Sequence, residues 1–182
     1  MNMNLTSNKI IFTGPVGSGK TTAISSISDV EPFCTEQFAT DETKARKDLT
    51  TVAMDYGMLK LISGEQIHLY GTPGQSRFDF MWDILTEGGI GVVILIDNCR
   101  PSPLEDFAFF INAFRSFIKE TAAVVGITRS DLANLPGIDA YWRVANELDL
   151  NIPIFEVDAR DKRDVTYLVE ALLYSLDAGL IE

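Results

Sequence analysis

A glycine-rich turn at residues 14–21 is the feature that most constrains what this chain can fold into. It reads GPVGSGKT, fits the spacing GxxxxGK[ST], and follows the apolar run KIIFT at 9–13. Between a strand and a helix, such a turn points successive backbone N–H groups into a concavity that holds phosphates. Its lysine then reaches the terminal phosphates, and its threonine hydroxyl ligates Mg²⁺. The pattern predicts a phosphate-binding loop, with Thr21 as metal ligand, formed by Gly14, Pro15, Val16, Gly17, Ser18, Gly19, Lys20, Thr21 and Thr22.

Length and composition predict one globular domain over residues 1–182. The chain is 46% hydrophobic and 23% charged, which are ordinary values for a folded domain. Its formal net charge of -11 argues against a nucleic-acid groove, because binding phosphate backbones needs a basic stripe. An anionic ligand must therefore be captured by local donors, as a phosphate-binding loop provides.

The sequence gives no sign of secretion or membrane attachment. Cys34 and Cys99 are the only cysteines, too few for a disulfide scaffold or a cysteine metal site. The longest apolar run, IGVVILI at 90–96, is too short to cross a bilayer, and neither end carries a lipidation motif. We expect a cytoplasmic protein without a direct membrane anchor.

Apolar runs of strand length alternate with helical patterns along most of the chain. The predicted strands are 9–13, 52–61, 66–70, 90–97, 121–128 and 152–157. The predicted helices are 20–28, 77–87, 103–118, 137–148 and 164–178. This order indicates an α/β fold with a doubly wound, six-stranded, mostly parallel sheet.

Two segments depart from the alternation. Only residues 62–65 separate the second and third strands, so these strands should form a hairpin and give the sheet one antiparallel edge. Residues 33–50 are the longest stretch without clear periodicity, and loops of that length are usually functional. We interpret 33–50 as a candidate switch segment.

Three further polar segments directly follow predicted strands: Gly71–Gln75, Thr128–Asp131 and Asp158–Arg160. Open α/β sheets bind ligands at the carboxyl ends of their strands, so these segments should lie around the phosphate-binding loop.

With these motifs in this order, the sequence resembles the Ras-like small GTPases over nearly its whole length. Among them it looks closest to bacterial members related to the gliding-motility GTPases. The resemblance implies a P-loop G domain that binds GTP and GDP with Mg²⁺. It also implies that Asp131 accepts hydrogen bonds from guanine N1 and N2, that the Arg129 stem packs on the ring, and that Thr128 holds the loops. In Asp158-Ala159-Arg160, the alanine N–H would meet guanine O6.

The resemblance also implies residues that act on the γ-phosphate. Thr51, with Thr50 as second choice, matches the switch threonine that binds Mg²⁺ and the γ-phosphate. Gly74 matches a glycine whose N–H contacts the γ-phosphate. Gln75 matches the glutamine that orients the attacking water.

Two positions depart from the family pattern. Gly71 stands where an aspartate usually holds Mg²⁺ through water, so weaker Mg²⁺ binding is expected. Val16 stands where Ras proteins usually have glycine, so slow intrinsic hydrolysis is expected. A catalytic arginine would raise the rate about 10³–10⁵-fold, and Arg46 and Arg77 are the candidates.

The expected partners are an activating or regulatory protein, such as the roadblock-fold dimers that regulate gliding-type relatives, and an effector. Both would contact residues 33–51 and 71–85. Within the second segment, Phe78, Phe80, Met81 and Trp82 form either a surface offered in the GTP state or part of the core.

Two other functions stay open at this point. Gly71 and Val16 also fit a pseudo-GTPase that holds nucleotide and serves as a scaffold. Alternatively, Asp97 at the end of the apolar run could hold Mg²⁺ directly in an ATP-dependent P-loop enzyme.

Overall fold

The computed structural model describes residues 8–34, 54–73 and 80–178. The strands are β1 (Asn8–Thr13), β2 (Phe33–Cys34), β3 (Asp55–Lys60), β4 (Gln66–Gly71), β5 (Gly89–Asp97), β6 (Ala123–Thr128) and β7 (Ile154–Val157). The helices are α1 (Lys20–Ile27), α2 (Phe80–Thr86), α3 (Pro103–Ala113), α4 (Arg115–Glu120), α5 (Ile138–Glu147) and α6 (Lys162–Ala178).

All these strands join one sheet in the order β2-β3-β4-β1-β5-β6-β7. The five strands from β4 to β7 pair in parallel, whereas β3 is antiparallel to β4. The predicted α/β class, the parallel sheet and the antiparallel edge are confirmed. The sheet also has a strand that the sequence did not predict, because the two residues of β2 pair antiparallel with the start of β3.

The central strands are apolar on both faces because helices cover both sides of the sheet. Every residue of β6 is buried, as is typical of a parallel strand between two helical layers. In β1 the side chains alternate between the layers. Ile10 and Phe12 pack in the core under α1 and α6, whereas Ile11 packs in the core under α3, α4 and α5.

The helices differ from the predicted ones mainly between 103 and 118. One helix was expected there, but the backbone of Phe114, with ψ of 9°, separates α3 from α4. Hydrogen bonds from Phe114 N to Phe110 O and from Ile118 N to Phe114 O continue across the break. The chain therefore bends while Phe114 and Ile118 both stay in the core.

Trp82 attaches α2 to the rest of the fold. Its indole is only 5% exposed and lies 5.5 Å from the Phe110 ring and 5.2 Å from the Phe114 ring, measured between centroids. Trp82 therefore belongs to the core rather than to an exposed surface. Phe78 and the side chains of Phe80 and Met81 lie outside what the structure describes.

No helix in the described ranges combines the length and apolar character that crossing a bilayer requires. The parallel arrangement brings the carboxyl ends of β1, β5, β6 and β7 to one edge of the sheet. The phosphate-binding loop and the segments after β6 and β7 begin at that edge.

Candidate functional site

The loop between β1 and α1 has a backbone that requires glycine at two positions. Gly14 has φ of 138°, and a Cβ built there would lie 2.0 Å from the carbonyl oxygen of Leu95 in β5. Gly19 has φ of 100°, and its Cβ would lie 2.9 Å from the Cβ of Ala159. The loop therefore lies against β5 at one end and against the segment after β7 at the other.

Lys20 is folded over this loop. Its side chain is buried, and Nζ donates hydrogen bonds to the carbonyl oxygens of Gly14 (2.8 Å) and Pro15 (2.7 Å). Burial lowers the pKa of Lys20 to about 8, an effect that the negative charge of Asp55 opposes and the positive charge of Arg100 reinforces. The ammonium group thus lies in the loop for which the sequence predicts contact with terminal phosphates, and it loses its proton more readily than an exposed lysine does.

Asp55, at the start of β3, places a carboxylate beside Thr21. The Thr21 hydroxyl donates a 2.5 Å hydrogen bond to Asp55 Oδ2. In the β3–β4 ladder Asp55 is paired with Gly71, and a Cβ at Gly71 would lie 2.9 Å from the same carboxylate oxygen. Residue 71 has no carboxylate, but a carboxylate from the neighbouring strand therefore lies beside Thr21.

Sequence reasoning did not identify Asp55, although the predicted hairpin contained the necessary signal. A four-residue connection at 62–65 brings residue 55 opposite residue 71, or one position away from it. Successive side chains of a strand point to opposite faces of the sheet, so the register decides which side chains share a face. The register, rather than a linear motif, points to this residue.

A threonine hydroxyl and a carboxylate in contact fit Mg²⁺, which takes few protein oxygens and completes its shell with phosphates and water. Among the described residues there is no cluster of three or more histidine, cysteine or acidic side chains that would hold a metal by itself. The pair of Thr21 and Asp55 therefore offers two oxygen ligands to a metal ion whose remaining ligands come from elsewhere.

On the other side of the loop, a pocket of about 230 Å³ brings together the remaining predicted segments. Its lining residues are Ser18, Gly19, Thr22, Thr128, Arg129, Asp131, Leu132, Asp158, Ala159 and Arg160. The segments after β6 and β7 thus meet beside the phosphate-binding loop.

The two carboxylates in the pocket are in different states. Asp158 accepts hydrogen bonds from the Arg160 guanidinium at 2.7 and 2.9 Å, and these bonds lower its pKa to about 2. In the part of the chain that the structure describes, no side chain or backbone group donates to the Asp131 carboxylate. Asp131 therefore keeps its acceptor capacity for something that enters the pocket.

Thr128 joins three segments at the pocket floor. Its hydroxyl is within hydrogen-bonding distance of the carbonyl oxygens of Ser18 (3.0 Å) and Ile96 (3.2 Å). The end of β6 is thereby fastened to both the phosphate-binding loop and β5.

Asp97 is engaged within the protein. Its Oδ2 forms an ion pair with the guanidinium of Arg129, and its Oδ1 accepts the backbone N–H of Cys99 at 2.9 Å. Each carboxylate oxygen of Asp97 thus has one donor from the protein, and the ion pair with Arg129 neutralises its negative charge.

Several predicted residues lie outside the described ranges. They are Arg46, Thr50, Thr51, Gly74, Gln75 and Arg77, so the expected switch threonine, water-orienting glutamine and catalytic arginines have no described position.

Comparison with known proteins gives a family and one distant relative. The profile of a family described as "conserved hypothetical ATP binding protein" matches residues 12–178. The chain is also similar to the uncharacterized protein MJ1339 of Methanocaldococcus jannaschii, with 32% identity over 98 residues. That match covers 54% of this chain and 56% of the relative, so the chain spans about half the length of the curated relative.

Proposed function

This chain belongs to the family of conserved hypothetical ATP-binding proteins, and from its site we propose that it binds GTP and GDP with Mg²⁺ and hydrolyses GTP slowly as a molecular switch. The family match supports nucleotide binding by a P-loop protein. Guanine specificity, GTP hydrolysis and switching are what we propose beyond it.

The observation that carries the guanine assignment is Asp131. A carboxylate accepts hydrogen bonds and cannot donate them when ionised. Guanine offers two adjacent donors, N1–H and the N2 amino group, whereas adenine offers N6 beside an N1 acceptor that would face the carboxylate unfavourably. Because Asp131 lines the pocket without a donor from the described residues, it supports guanine over adenine.

Mg²⁺ would be held by Thr21 directly and by Asp55 as the carboxylate beside it. Held there, the ion would supply positive charge against the charge that develops on the phosphates. Lys20, currently donating to two loop carbonyls, would turn one or more of its N–H groups to the same phosphates.

Hydrolysis is proposed from the resemblance alone. Gln75 would orient water, Gly74 and Thr51 would contact the γ-phosphate, and Arg46 or Arg77 would supply positive charge. Val16 is 55% exposed on the phosphate-binding loop, where its branched side chain would crowd the γ-phosphate. Slow turnover without a regulator follows from that position.

Partners are likewise part of the proposal. A regulatory protein, of the roadblock type in gliding-type relatives, and an effector would contact residues 33–51 and 71–85. With Trp82 buried, the described side chain on this segment that is most available to a partner is Ile84, which is 64% exposed. We place the protein in the cytoplasm, in keeping with its few cysteines.

A second candidate is an ATP-dependent P-loop enzyme, which is favoured by the family's description. The sequence supports this candidate through Asp97 as a metal ligand, and the ion pair of Asp97 with Arg129 counts against that role.

The scaffold without turnover was suggested in part by the missing carboxylate at Gly71. The Asp55 carboxylate beside Thr21 weakens that argument.

Calorimetric titration of the nucleotide-free protein with GTP, GDP and ATP, each with and without Mg²⁺, tests the proposal. We expect tight guanine-nucleotide binding, strengthened by Mg²⁺ for GTP, with ATP bound at least about tenfold more weakly. ATP binding equal to or tighter than GTP binding would refute the guanine assignment and favour the second candidate.

A further inference from the structure

The segment that carries Asp131 is held in place by two consecutive residues at the end of β5. We call residues 129–136 the base loop; it begins directly after β6 and ends before α5. Asp97 contacts its first residue, and Asn98 contacts its last residues. The inference drawn from these contacts rests on the proposed function, because it concerns how the base is selected.

The first contact fixes Arg129. This residue has φ of 60°, a left-handed conformation that is unfavourable for a residue with a side chain and persists only where the surrounding structure imposes it. The buried carboxylate of Asp97 pairs with its guanidinium, and the Arg129 carbonyl accepts the N–H groups of Leu132 and Ala133. The turn that presents Asp131 therefore starts from a residue that is anchored on β5.

The second contact fixes the other end of the base loop. Asn98 Nδ2 donates to the carbonyl oxygens of Ala133 (2.5 Å) and Pro136 (3.2 Å), and Asn98 Oδ1 accepts the hydroxyl of Tyr141 (2.6 Å). Burial raises the pKa of Tyr141, so its hydroxyl remains a donor at any physiological pH. The amide of Asn98 therefore has a single orientation that satisfies all of these partners.

We propose that Asp97 and Asn98 are positioning residues for base selectivity. They act through the base loop, by keeping the Asp131 carboxylate at the depth and angle that guanine N1 and N2 require. Hydrogen-bonded discrimination between bases needs such preorganisation, because a carboxylate free to move can accommodate a wrong base or reach water instead.

A purely structural role makes a different prediction. If these residues only stabilise the fold, their replacement lowers the melting temperature but leaves the ratio of affinities between two bases unchanged in the molecules that remain folded. The ratio is therefore the decisive readout.

The test compares GDP, IDP and ADP by calorimetry on the full chain. IDP lacks the N2 amino group, so the GDP-to-IDP ratio measures one charge-assisted hydrogen bond, and we expect about tenfold or more for the unmodified protein. In Asp97→Asn and Asn98→Ala the ratio should fall to about threefold or less. Tyr141→Phe, which removes only the hydroxyl that orients Asn98, should lower it in the same direction and is available if Asn98→Ala does not fold.

Arg115→Met is the matched control. It removes another side-chain anchor between elements, because Arg115 in α4 donates to the Leu148 carbonyl after α5 (2.9 Å), and Arg115 makes no described hydrogen bond to the base loop. The control should keep the GDP-to-IDP ratio of the unmodified protein.

An unchanged ratio in both Asp97→Asn and Asn98→Ala, within about twofold, would overturn the inference while leaving GTP binding intact. If the unmodified protein instead prefers ADP, the guanine assignment fails separately. In that case the same titrations still test Asp97 and Asn98: a loss of the preference for ADP over GDP in the two variants supports a positioning role, and an unchanged preference overturns it.

Discussion

Asp55 and Gly71 face each other across the β3–β4 ladder, and only one of them can carry a carboxylate at that place. The Asp55 carboxylate already occupies the space into which a side chain at residue 71 would extend, and it accepts the hydroxyl hydrogen bond of Thr21. Glycine at residue 71 is thus the condition that lets Asp55 reach the phosphate-binding loop.

Restoring the usual aspartate should harm the protein. In Gly71→Asp the new Cβ meets Asp55 Oδ2 at 2.9 Å and Ile24 Cδ1 at 3.2 Å, so we expect the free energy of unfolding to fall by about 1–3 kcal/mol. The double variant Asp55→Gly, Gly71→Asp should recover stability and Mg²⁺-dependent nucleotide binding. Urea unfolding and calorimetry check both; tighter Mg²⁺ binding by the single variant without loss of stability would contradict this account.

Asp55→Asn should weaken Mg²⁺ binding without removing the nucleotide. The amide keeps the shape but loses the negative charge, and removing an outer ligand partner typically costs about 10–100-fold in metal affinity. The measurement is the Mg²⁺ dependence of nucleotide release. Among the described residues, the Asp29 carboxylate accepts one hydrogen bond, from the Lys60 N–H at the other end of β3. Asp29→Asn should therefore release nucleotide as the unmodified protein does.

Nucleotide affinity should fall at alkaline pH because of Lys20. Burial lowers its pKa to about 8 from 10.5, whereas bound phosphates favour the charged form, so binding takes up a proton above pH 8. Affinity for the nucleotide is then highest below pH 8 and about tenfold lower at pH 9 than at pH 7.

The stability of the nucleotide-free protein depends on pH in the opposite direction. Between pH 8 and 10.5 the unfolded chain keeps the Lys20 proton and the folded chain loses it, so the free energy of unfolding rises with pH through that window.

Titration of GDP at several pH values measures this dependence. Lys20→Met should bind weakly with little change between pH 7 and 9. An unmodified protein whose affinity is flat over the same range would show that the lysine stays protonated without phosphate.

Asp131→Asn should change the preferred base from guanine towards xanthine. An amide can donate to the O2 of xanthine, whereas the carboxylate repels it. We expect GDP affinity to fall by at least about tenfold while xanthosine diphosphate gains. Unchanged GDP affinity would remove Asp131 from the base contact.

Gly14→Ala and Gly17→Ala form a matched pair in the loop. Both residues have positive φ, but a Cβ at Gly14 would collide with the Leu95 carbonyl, whereas a Cβ at Gly17 meets nothing within 4 Å. We expect Gly17→Ala to cost about 1 kcal/mol of stability from backbone strain, and Gly14→Ala to cost more than about 3 kcal/mol or prevent folding. Equal melting temperatures would contradict the close packing of the loop on β5.

Sequence alone predicted the parts of this fold that depend on local pattern. The apolar runs predicted β5 and β6, and the GxxxxGK[ST] spacing predicted the phosphate-binding loop and the helix after it. The alternation of strands with helices predicted the parallel sheet. The two-residue β2 was missed because its pairing with β3 is a long-range contact without periodicity of its own. The break at Phe114 was missed because apolar spacing is the same through a bend as through a straight helix.

The candidate site likewise contains residues that a local sequence pattern predicts and residues that only the three-dimensional arrangement reveals. Linear motifs drew attention to Thr128, Asp131 and Ala159, and these residues line one pocket. Asp55 was not identified because it lies on another strand from Thr21, which it contacts. The sequence also shows that Asp97 ends a strand, but not that it forms an ion pair with Arg129.

The packing of Trp82 gives the protein a built-in optical probe. One of the two tryptophans in the sequence, Trp82, is buried among phenylalanines in α2, and the other, Trp142, lies on α5. Any rearrangement that lifts α2 off α3 moves an indole from an apolar surrounding into water, which shifts its emission. Conformational states of this helix can therefore be followed without a label, with Trp142→Phe leaving a single reporter.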